Sequence, residues 1–118
     1  MEGLSSIVNE NGIVICAIPN MLFLYNRLKL IAGRVEYEEY GLMDYTHVRW
    51  YTQTTLIDLF EQRGFLLDTF RANGNLPLGP LRRVLPRFIQ SWVDEKLVNL
   101  FPGIFAWEYI FRFRNSCQ

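Results

Sequence analysis

The chain has little of what metal and redox sites are made from, and it has no long hydrophobic run. Among its 118 residues are only two cysteines and one histidine. Cys16 and Cys117 lie far apart, which suits neither a metal site nor a disulfide framework. No segment is apolar over the roughly 20 residues that cross a bilayer, and the N-terminus does not resemble a signal peptide. We therefore expect a cytoplasmic protein with reduced thiols and no metal.

An excess of charge of one sign is missing as well. Twelve basic residues balance twelve acidic ones, so net charge gives no attraction to nucleic acid, and we expect none to bind. Half of the residues are hydrophobic and 15% are aromatic, which is enough to bury a core and excludes a disordered chain. The length predicts a single domain spanning 1–118.

Runs of apolar residues and helix-stop signals divide the chain into alternating elements. The continuous apolar run 13–18 predicts a strand buried on both faces, as in a parallel sheet. The expected elements in chain order are a helix ending before Asn11-Gly12, a strand over 13–18, a helix over 21–32 capped by Asn20, a long connection over 34–51, a helix over 53–63 capped by Thr52, a strand over 65–71, a helical stretch over 81–100 and a strand over 107–114.

The order strand, helix, strand with a long crossover predicts a parallel α/β unit. Three strands form a thin sheet, and we expect the first strand, as the most apolar, to leave its edge bare. In the last strand, the aromatic residues Trp107, Tyr109, Phe111 and Phe113 alternate with Glu108, Ile110, Arg112 and Arg114 and should share one face of the strand. The segment 76–104 is expected to form a helical insertion or lid, interrupted near Pro86 and broken again at Pro102-Gly103.

Most of the polar chemistry lies in one connection, 41–52, which has the sequence GLMDYTHVRWYT. Loops held by a rigid scaffold commonly carry binding and catalysis. His47 could act as a general base near neutral pH, or it could hydrogen-bond backbone and fix the loop. Asp44 could orient His47 or bind substrate, although an aspartate that caps a turn is the commoner case.

Three further residues have open alternatives. Arg49 could bind a substrate carboxylate or phosphate, or pair with a glutamate of the preceding loop. Tyr51 could line a substrate pocket, although an aromatic residue near a helix start more often packs in the core. Asn20 follows a strand at the edge where α/β folds place ligands, and it could also cap a helix.

The run Leu81–Val93 mixes arginines with apolar side chains. It could lie on an anionic membrane or bind an acidic partner. A solvated basic face on a lid helix is favoured, because membrane-surface helices rarely carry a central proline such as Pro86. Membrane association is accordingly not expected.

These features together resemble the C-terminal half of a class I S-adenosylmethionine (SAM)-dependent methyltransferase. The resemblance covers roughly residues 4 to 71, with a looser similarity over Phe101–Phe113. The matching residues are Ile18-Pro19-Asn20, Gly41-Leu42, Asp44, Thr46-His47, Arg49-Trp50-Tyr51-Thr52 and Gly64-Phe65.

The resemblance implies an α/β fold with a partial Rossmann-like methyltransferase sheet of about three strands and flanking helices. The strand over 107–114 would insert antiparallel between the other two. It implies His47 as the catalytic base and Asn20, Asp44, Arg49 and Tyr51 as substrate-binding residues. The family's first four strands and glycine-rich SAM turn are missing from this sequence, so no cofactor-binding residue is assigned and SAM is implied only if that half is supplied.

Two functions follow as expectations. The chain could be the substrate-side half of a truncated methyltransferase that is inactive alone, with an unspecified methyl acceptor. Alternatively, it could be a non-catalytic interaction module derived from a methyltransferase. Either a second copy or a separate chain with the first four strands would cover the bare sheet edge, and we expect a homodimer joined at or near the first strand.

Overall fold

A computed structural model describes residues 3–35, 49–76 and 79–116 as an α/β structure with an open three-stranded sheet and flanking helices. The elements are α1 (Leu4–Ile7), β1 (Ile13–Pro19), α2 (Leu24–Ile31), α3 (Gln53–Glu61), β2 (Phe65–Gly74), a 3-10 helix (Gly79–Arg83), α4 (Arg87–Leu100), α5 (Pro102–Phe105) and β3 (Ala106–Asn115).

The last strand of the chain lies in the middle of the sheet. The strand order is β1-β3-β2, and β3 runs antiparallel to both neighbours. This is the position that the resemblance implied for the final strand. The pattern-based prediction of a parallel pair is wrong for the described residues, because β1 and β2 point the same way but β3 separates them. Every neighbouring pair is therefore antiparallel.

The prediction that β1 is buried on both faces is also wrong. The side chains of Val14, Cys16 and Ile18 pack against the core, whereas Ile13 is exposed and Ile15 is 70% exposed. The alternation arises because β1 is an edge strand and the described helices that pack on the hydrophobic core contact one face of the sheet. The expectation that β1 leaves an edge bare fits this strand order.

The core lies between one face of the sheet and the two helices α3 and α4. Phe60 of α3 stacks on Phe113 of β3 with ring centroids 4.0 Å apart, and it meets the edge of Phe65 at 5.9 Å. Val98 of α4 is buried in the same cluster. Aromatic stacking adds to the area that these side chains bury. Both helices lie against β2, and Phe60 reaches β3 through its ring stack.

The opposite face of the sheet is polar at its centre. The carboxylate of Asp68 accepts from Arg112 at 3.1 Å and from Arg114 at 3.2 Å. All three side chains are partly exposed, so these ion pairs contribute little to stability. Arg112 and Arg114 thus lie on the face of β3 opposite the buried Phe111 and Phe113.

Of the two predicted helix caps, the one at Thr52 is confirmed and the one at Asn20 is not. Thr52 forms a capping box with Thr55 at the start of α3, and Gly33 and Gly64 take left-handed φ angles of 72° and 81° after α2 and α3. Asn20 is not the N-cap of α2, which begins at Leu24. Its side chain instead accepts from the amide of Leu22 within a turn that precedes the helix.

The predicted alternation of β3 fails at Trp107. Tyr109, Phe111 and Phe113 share one face as expected and are buried, but Trp107 is exposed while Ala106 is buried. Asn73 pairs with Glu108 and Gly74 pairs with Ala106, so Trp107 is an extra residue on β3. A bulge of this kind reverses the side-chain phase and turns one residue out of the core.

The segment expected to form a helical insertion contains the 3-10 helix, α4 and α5. Pro86 precedes α4 as its N-cap residue, which agrees with the predicted interruption. The predicted break at Pro102-Gly103 is confirmed, because α4 ends at Leu100 and a separate short helix, α5, begins at Pro102. Proline is tolerated there since the first helical position needs no amide hydrogen.

Substitution of Gly74 by alanine is expected to destabilise the fold by about 2 kcal/mol. A Cβ atom at Gly74 would collide with the carbonyl oxygen of Phe105 and approach Cα of Ala106 to 2.7 Å, both of which are backbone atoms that cannot rotate away. Urea unfolding of the variant measures the change. Gly103→Ala is the matched control, because a Cβ there meets nothing within 4 Å. Equal stability of the two variants would contradict the described bulge.

Candidate binding cleft at the carboxyl edge of the sheet

The ends of β1 and β2 converge on the beginning of β3. Pro19 and Asn73 both pair with Glu108, and Gly74 pairs with Ala106. The carboxyl ends of β1 and β2 therefore meet at the same edge of the sheet. Ligands of α/β folds usually bind outside such an edge, so we expect a binding site here.

Asn20 ties this edge together. Its side chain is 2% exposed, and its Nδ2 donates to the carbonyl oxygens of Ala106 at 2.7 Å and Gly103 at 3.1 Å. Its Oδ1 accepts from the amide of Leu22 at 3.0 Å. Both amide hydrogens and one acceptor position are thus used by backbone groups. This arrangement favours a positioning role for Asn20 over contact with a substrate.

Arg27 and Tyr109 add further hydrogen bonds to the backbone near Asn20. Arg27 donates through Nε to the carbonyl of Leu22 at 2.6 Å and through Nη2 to that of Gly103 at 3.2 Å. The Tyr109 hydroxyl donates to the carbonyl of Pro102 at 3.2 Å. Burial raises the pKa of the Tyr109 phenol, and the charge of Arg27 acts in the opposite direction. Tyr109 is therefore a neutral hydrogen-bond donor near pH 7.

An open cleft of about 600 Å³ lies beside this edge, between α4 and the ends of β2 and β3. Its lining consists of acids, amides, small residues and one indole, namely Ala72, Asn73, Gly74, Ser91, Asp94, Glu95, Val98, Asn99, Trp107 and Glu108. No lysine or arginine contributes to that lining. The cleft therefore suits a neutral or cationic polar group better than a phosphate or carboxylate.

Two of the three carboxylates in the cleft already have partners. Asp94 accepts from the amide of Leu76 at 2.8 Å and from the guanidinium of Arg82 at 2.5 Å. Glu108 accepts from Nδ2 of Asn73 at 3.4 Å. The bonds of Asp94 attach the segment before the 3-10 helix to α4 and so fix one wall of the cleft.

The structure describes three of the five site residues predicted from the sequence. Asp44 and His47 lie outside the described residues. Arg49 is exposed, and Tyr51 is half-buried against the hydrophobic core, as the packing alternative for that residue requires. Of the predicted site residues in the described part, Asn20 lies at the carboxyl edge. The roles proposed for the other four stay predictions.

The sequence reasoning missed the cleft itself. Trp107 enters the sequence analysis only as part of the strand alternation, and Asp94, Glu95 and Glu108 have no predicted role in a site. One signal was present for Asp94, which lies four residues before Val98 and so shares the buried face of α4. An acid on an apolar helix face needs a fixed partner. The bulge that exposes Trp107 has no comparable signal in the sequence.

Two backbone groups at the described strand ends already contact other parts of the chain. A cofactor turn of that family needs free backbone amides aimed at the ligand. The amide of Asn20 donates to the carbonyl of Trp107 at 2.7 Å, and the Cα of Gly74 faces the backbone of Phe105. No SAM contact is therefore assigned to the described part of the chain.

Metal and thiol chemistry find no support in the described ranges either. No group of three or more metal-binding side chains occurs within them. Burial raises the pKa of the Cys16 thiol, which keeps it protonated and a poor nucleophile near neutral pH.

Comparison with known proteins gives no matching family model and no matching curated protein.

Asn20→Ala is expected to lower the free energy of unfolding by about 2–3 kcal/mol. The change leaves the carbonyl of Ala106 buried without its side-chain donor and removes the acceptor for Leu22. Asn20→Asp should be at least as damaging, because a carboxylate would face two carbonyl oxygens. Urea unfolding measures both variants. Asn99→Ala, at an exposed position of the cleft, is the control and should unfold like the parent chain.

Proposed function

We propose that the chain is the substrate-side half of a SAM-dependent methyltransferase and that it is inactive alone. The proposal rests on the resemblance carried by Ile18-Pro19-Asn20, the 41–52 motif and Gly64-Phe65. The described topology is compatible with it, since β3 lies antiparallel between β1 and β2. Thr52, which caps the start of α3, ends the 41–52 motif, and Gly64, which follows α3, begins the Gly64-Phe65 motif.

The observation that carries the proposal is the outer edge of β1. Its sequence, IVICAIP, contains no charged residue, and on that side it has no partner strand among the described residues. Exposed strand edges are usually protected by lysine, proline within the strand or a bulge. β1 has only a terminal proline, so its edge is suited to accept a further strand. A complementing half with additional strands would extend the sheet there.

In this proposal the chain holds the methyl acceptor. Methyl transfer depends mainly on placing the acceptor in line with the donor carbon, and some acceptors also need a base. His47 is the residue proposed to take the proton. Asp44, Arg49 and Tyr51 are proposed to surround the acceptor, while Asn20 holds the strand end through its backbone hydrogen bonds.

Isothermal calorimetry of the pure chain with SAM is expected to give no binding heat, because the family's glycine-rich SAM turn is missing from this sequence. Tight binding to the chain alone would contradict the proposal. A separate polypeptide with the four missing strands of a methyltransferase carrying the 41–52 motif should restore binding. His47→Gln in that complex should lower methyl transfer by about 100-fold or more while SAM binding stays unchanged.

The alternative is a non-catalytic interaction module in which two copies pair. It is favoured by the same edge and by the exposure of Ile13 and Ile15 on β1. Antiparallel pairing of two β1 strands would obey two-fold symmetry and make one continuous sheet. This alternative differs from the first in needing no second kind of chain.

Sedimentation equilibrium distinguishes the alternative. A homodimer at micromolar concentration should be weakened about tenfold or more by Ile15→Lys, since lysine on an edge strand opposes pairing. Ile31→Lys is the matched control on α2, where the isoleucine is 83% exposed. A wild-type chain that stays monomeric at this concentration would reject the homodimer. Equal effects of the two lysines would show that β1 is not the contact.

A further inference from the structure

A second unusual surface lies on the segment between β2 and β3, away from the β1 edge. Four large apolar side chains project into solvent along the 3-10 helix and the first half of α4. They are Leu81, Val84 (79% exposed), Phe88 (74%) and Trp92 (61%). Arg83 and Arg87, both exposed, lie between them. We call these six residues the basic-apolar ridge.

The ridge is not simply unburied core. The inner face of α4 is defined by Asp94 and Val98, which are buried. Phe88 and Trp92 are four residues apart and therefore neighbours on another face of the helix. Glu95, three residues after Trp92, lies on the same side of α4, is exposed and lines the cleft. Large apolar side chains clustered on the surface of a folded chain usually mark a contact with another body.

The three arginines of this region differ in their contacts. Arg82 is held by Asp94 and by the carbonyl of Leu76. Within the described ranges, neither Arg83 nor Arg87 takes part in an ion pair. These two cations are therefore available to a partner that lies against the apolar side chains.

From the sequence, a central proline at position 86 disfavours a membrane-surface helix. In the structure this proline does not interrupt a helix. Pro86 lies before α4, and its carbonyl accepts from the amides of Ile89 and Gln90, each at 3.1 Å. It therefore kinks no helix. Nε2 of Gln90 donates to the carbonyls of Arg82 and Leu85, both at 2.6 Å. The turn is thus fixed to α4, and the ridge is preorganised.

We propose that the basic-apolar ridge docks on an anionic lipid surface. Phe88, Trp92, Val84 and Leu81 enter the boundary between headgroups and acyl chains, and Arg83 and Arg87 contact the lipid phosphates. The ridge has cations beside apolar side chains, and an anionic bilayer has negatively charged phosphates beside an apolar interior. This complementarity favours an anionic bilayer as the partner. Docking is peripheral, since no helix of the described ranges is long and apolar enough to cross a membrane.

This proposal does not depend on the methyltransferase assignment. The ridge lies on α4 and the 3-10 helix, whereas the proposed pairing edge is β1. A chain that fails to bind SAM or a complementing half can still bind lipid, and the reverse also holds. The two experiments therefore fail separately.

Flotation of the full chain with phosphatidylcholine vesicles, with and without phosphatidylglycerol, tests the ridge. We expect binding only when phosphatidylglycerol is present, and weaker binding as salt increases. The double variant Phe88→Ser/Trp92→Ser should lower the partition coefficient about tenfold or more, because both side chains lose their burial in the bilayer. Ile31→Ser is the matched control for an exposed apolar residue outside the ridge and should bind like the parent chain.

The charged residues are tested separately. Arg83→Gln/Arg87→Gln should weaken binding several-fold and flatten its salt dependence, whereas Arg71→Gln, at an exposed position on β2, should not. Far-ultraviolet circular dichroism and urea unfolding confirm that each variant stays folded. Quenching of tryptophan fluorescence by brominated lipid should fall in Trp92→Phe, which places that indole at the bilayer.

Several outcomes would overturn the proposal. They are no binding to anionic vesicles, equal binding to neutral and anionic vesicles, or unchanged binding of folded Phe88→Ser/Trp92→Ser. Self-association that this double variant abolishes, without any lipid binding, would assign the ridge to a second copy of the chain instead.

Discussion

The packing of β3 against α3 is the interaction on which the described structure depends. The Phe60–Phe113 stack and the edge contact of Phe60 with Phe65 join a helix and two strands in one cluster. β3 is also the last element of the chain, yet it provides the hydrogen bonds for both other strands. β1 and β2 have no direct contact as neighbours in the sheet, so the sheet forms only when the final strand enters it. Contacts this distant in sequence make its formation dependent on long loop closure.

The same central strand organises the carboxyl edge. Asn20 and Gly74 come from different strands, and both meet the first residues of β3 through backbone contacts. The bulge at Trp107 then turns an indole outward beside Glu108. The cleft, the hydrogen bonds of Asn20 and the exposed indole therefore all depend on how the beginning of β3 packs between the ends of β1 and β2.

The β1 edge and the basic-apolar ridge are both apolar surfaces of the described residues, and they differ in chemistry. β1 presents an uncharged strand edge, which is suited to backbone pairing with another strand. The basic-apolar ridge presents side chains on a helix and carries two arginines, which suits a charged surface. Gln90 and Asp94 hold the ridge through side-chain bonds to the backbone of the segment that precedes α4.

The sequence by itself determined the kinds of elements and most of their ends. Thr52, Gly33 and Gly64 act through local backbone geometry and short-range hydrogen bonds, which is why they could be recognised without a structure. The apolar alternation of Tyr109, Phe111 and Phe113 likewise depends only on the two-residue period of a strand. The resemblance gave the position of β3, which periodicity could not give.

Only the tertiary structure decided which faces are covered. β1 has the composition of an interior strand, yet it lies at an edge because β3 pairs with one side of it and the helices of the core pack on one face of the sheet. Asn20 has the position of a helix cap, but its side chain donates hydrogen bonds to the carbonyls of Gly103 and Ala106, more than 80 residues away. Trp107 follows the strand pattern, but a one-residue bulge places it in solvent. Burial and pairing depend on residues distant in the chain, and no local pattern records them.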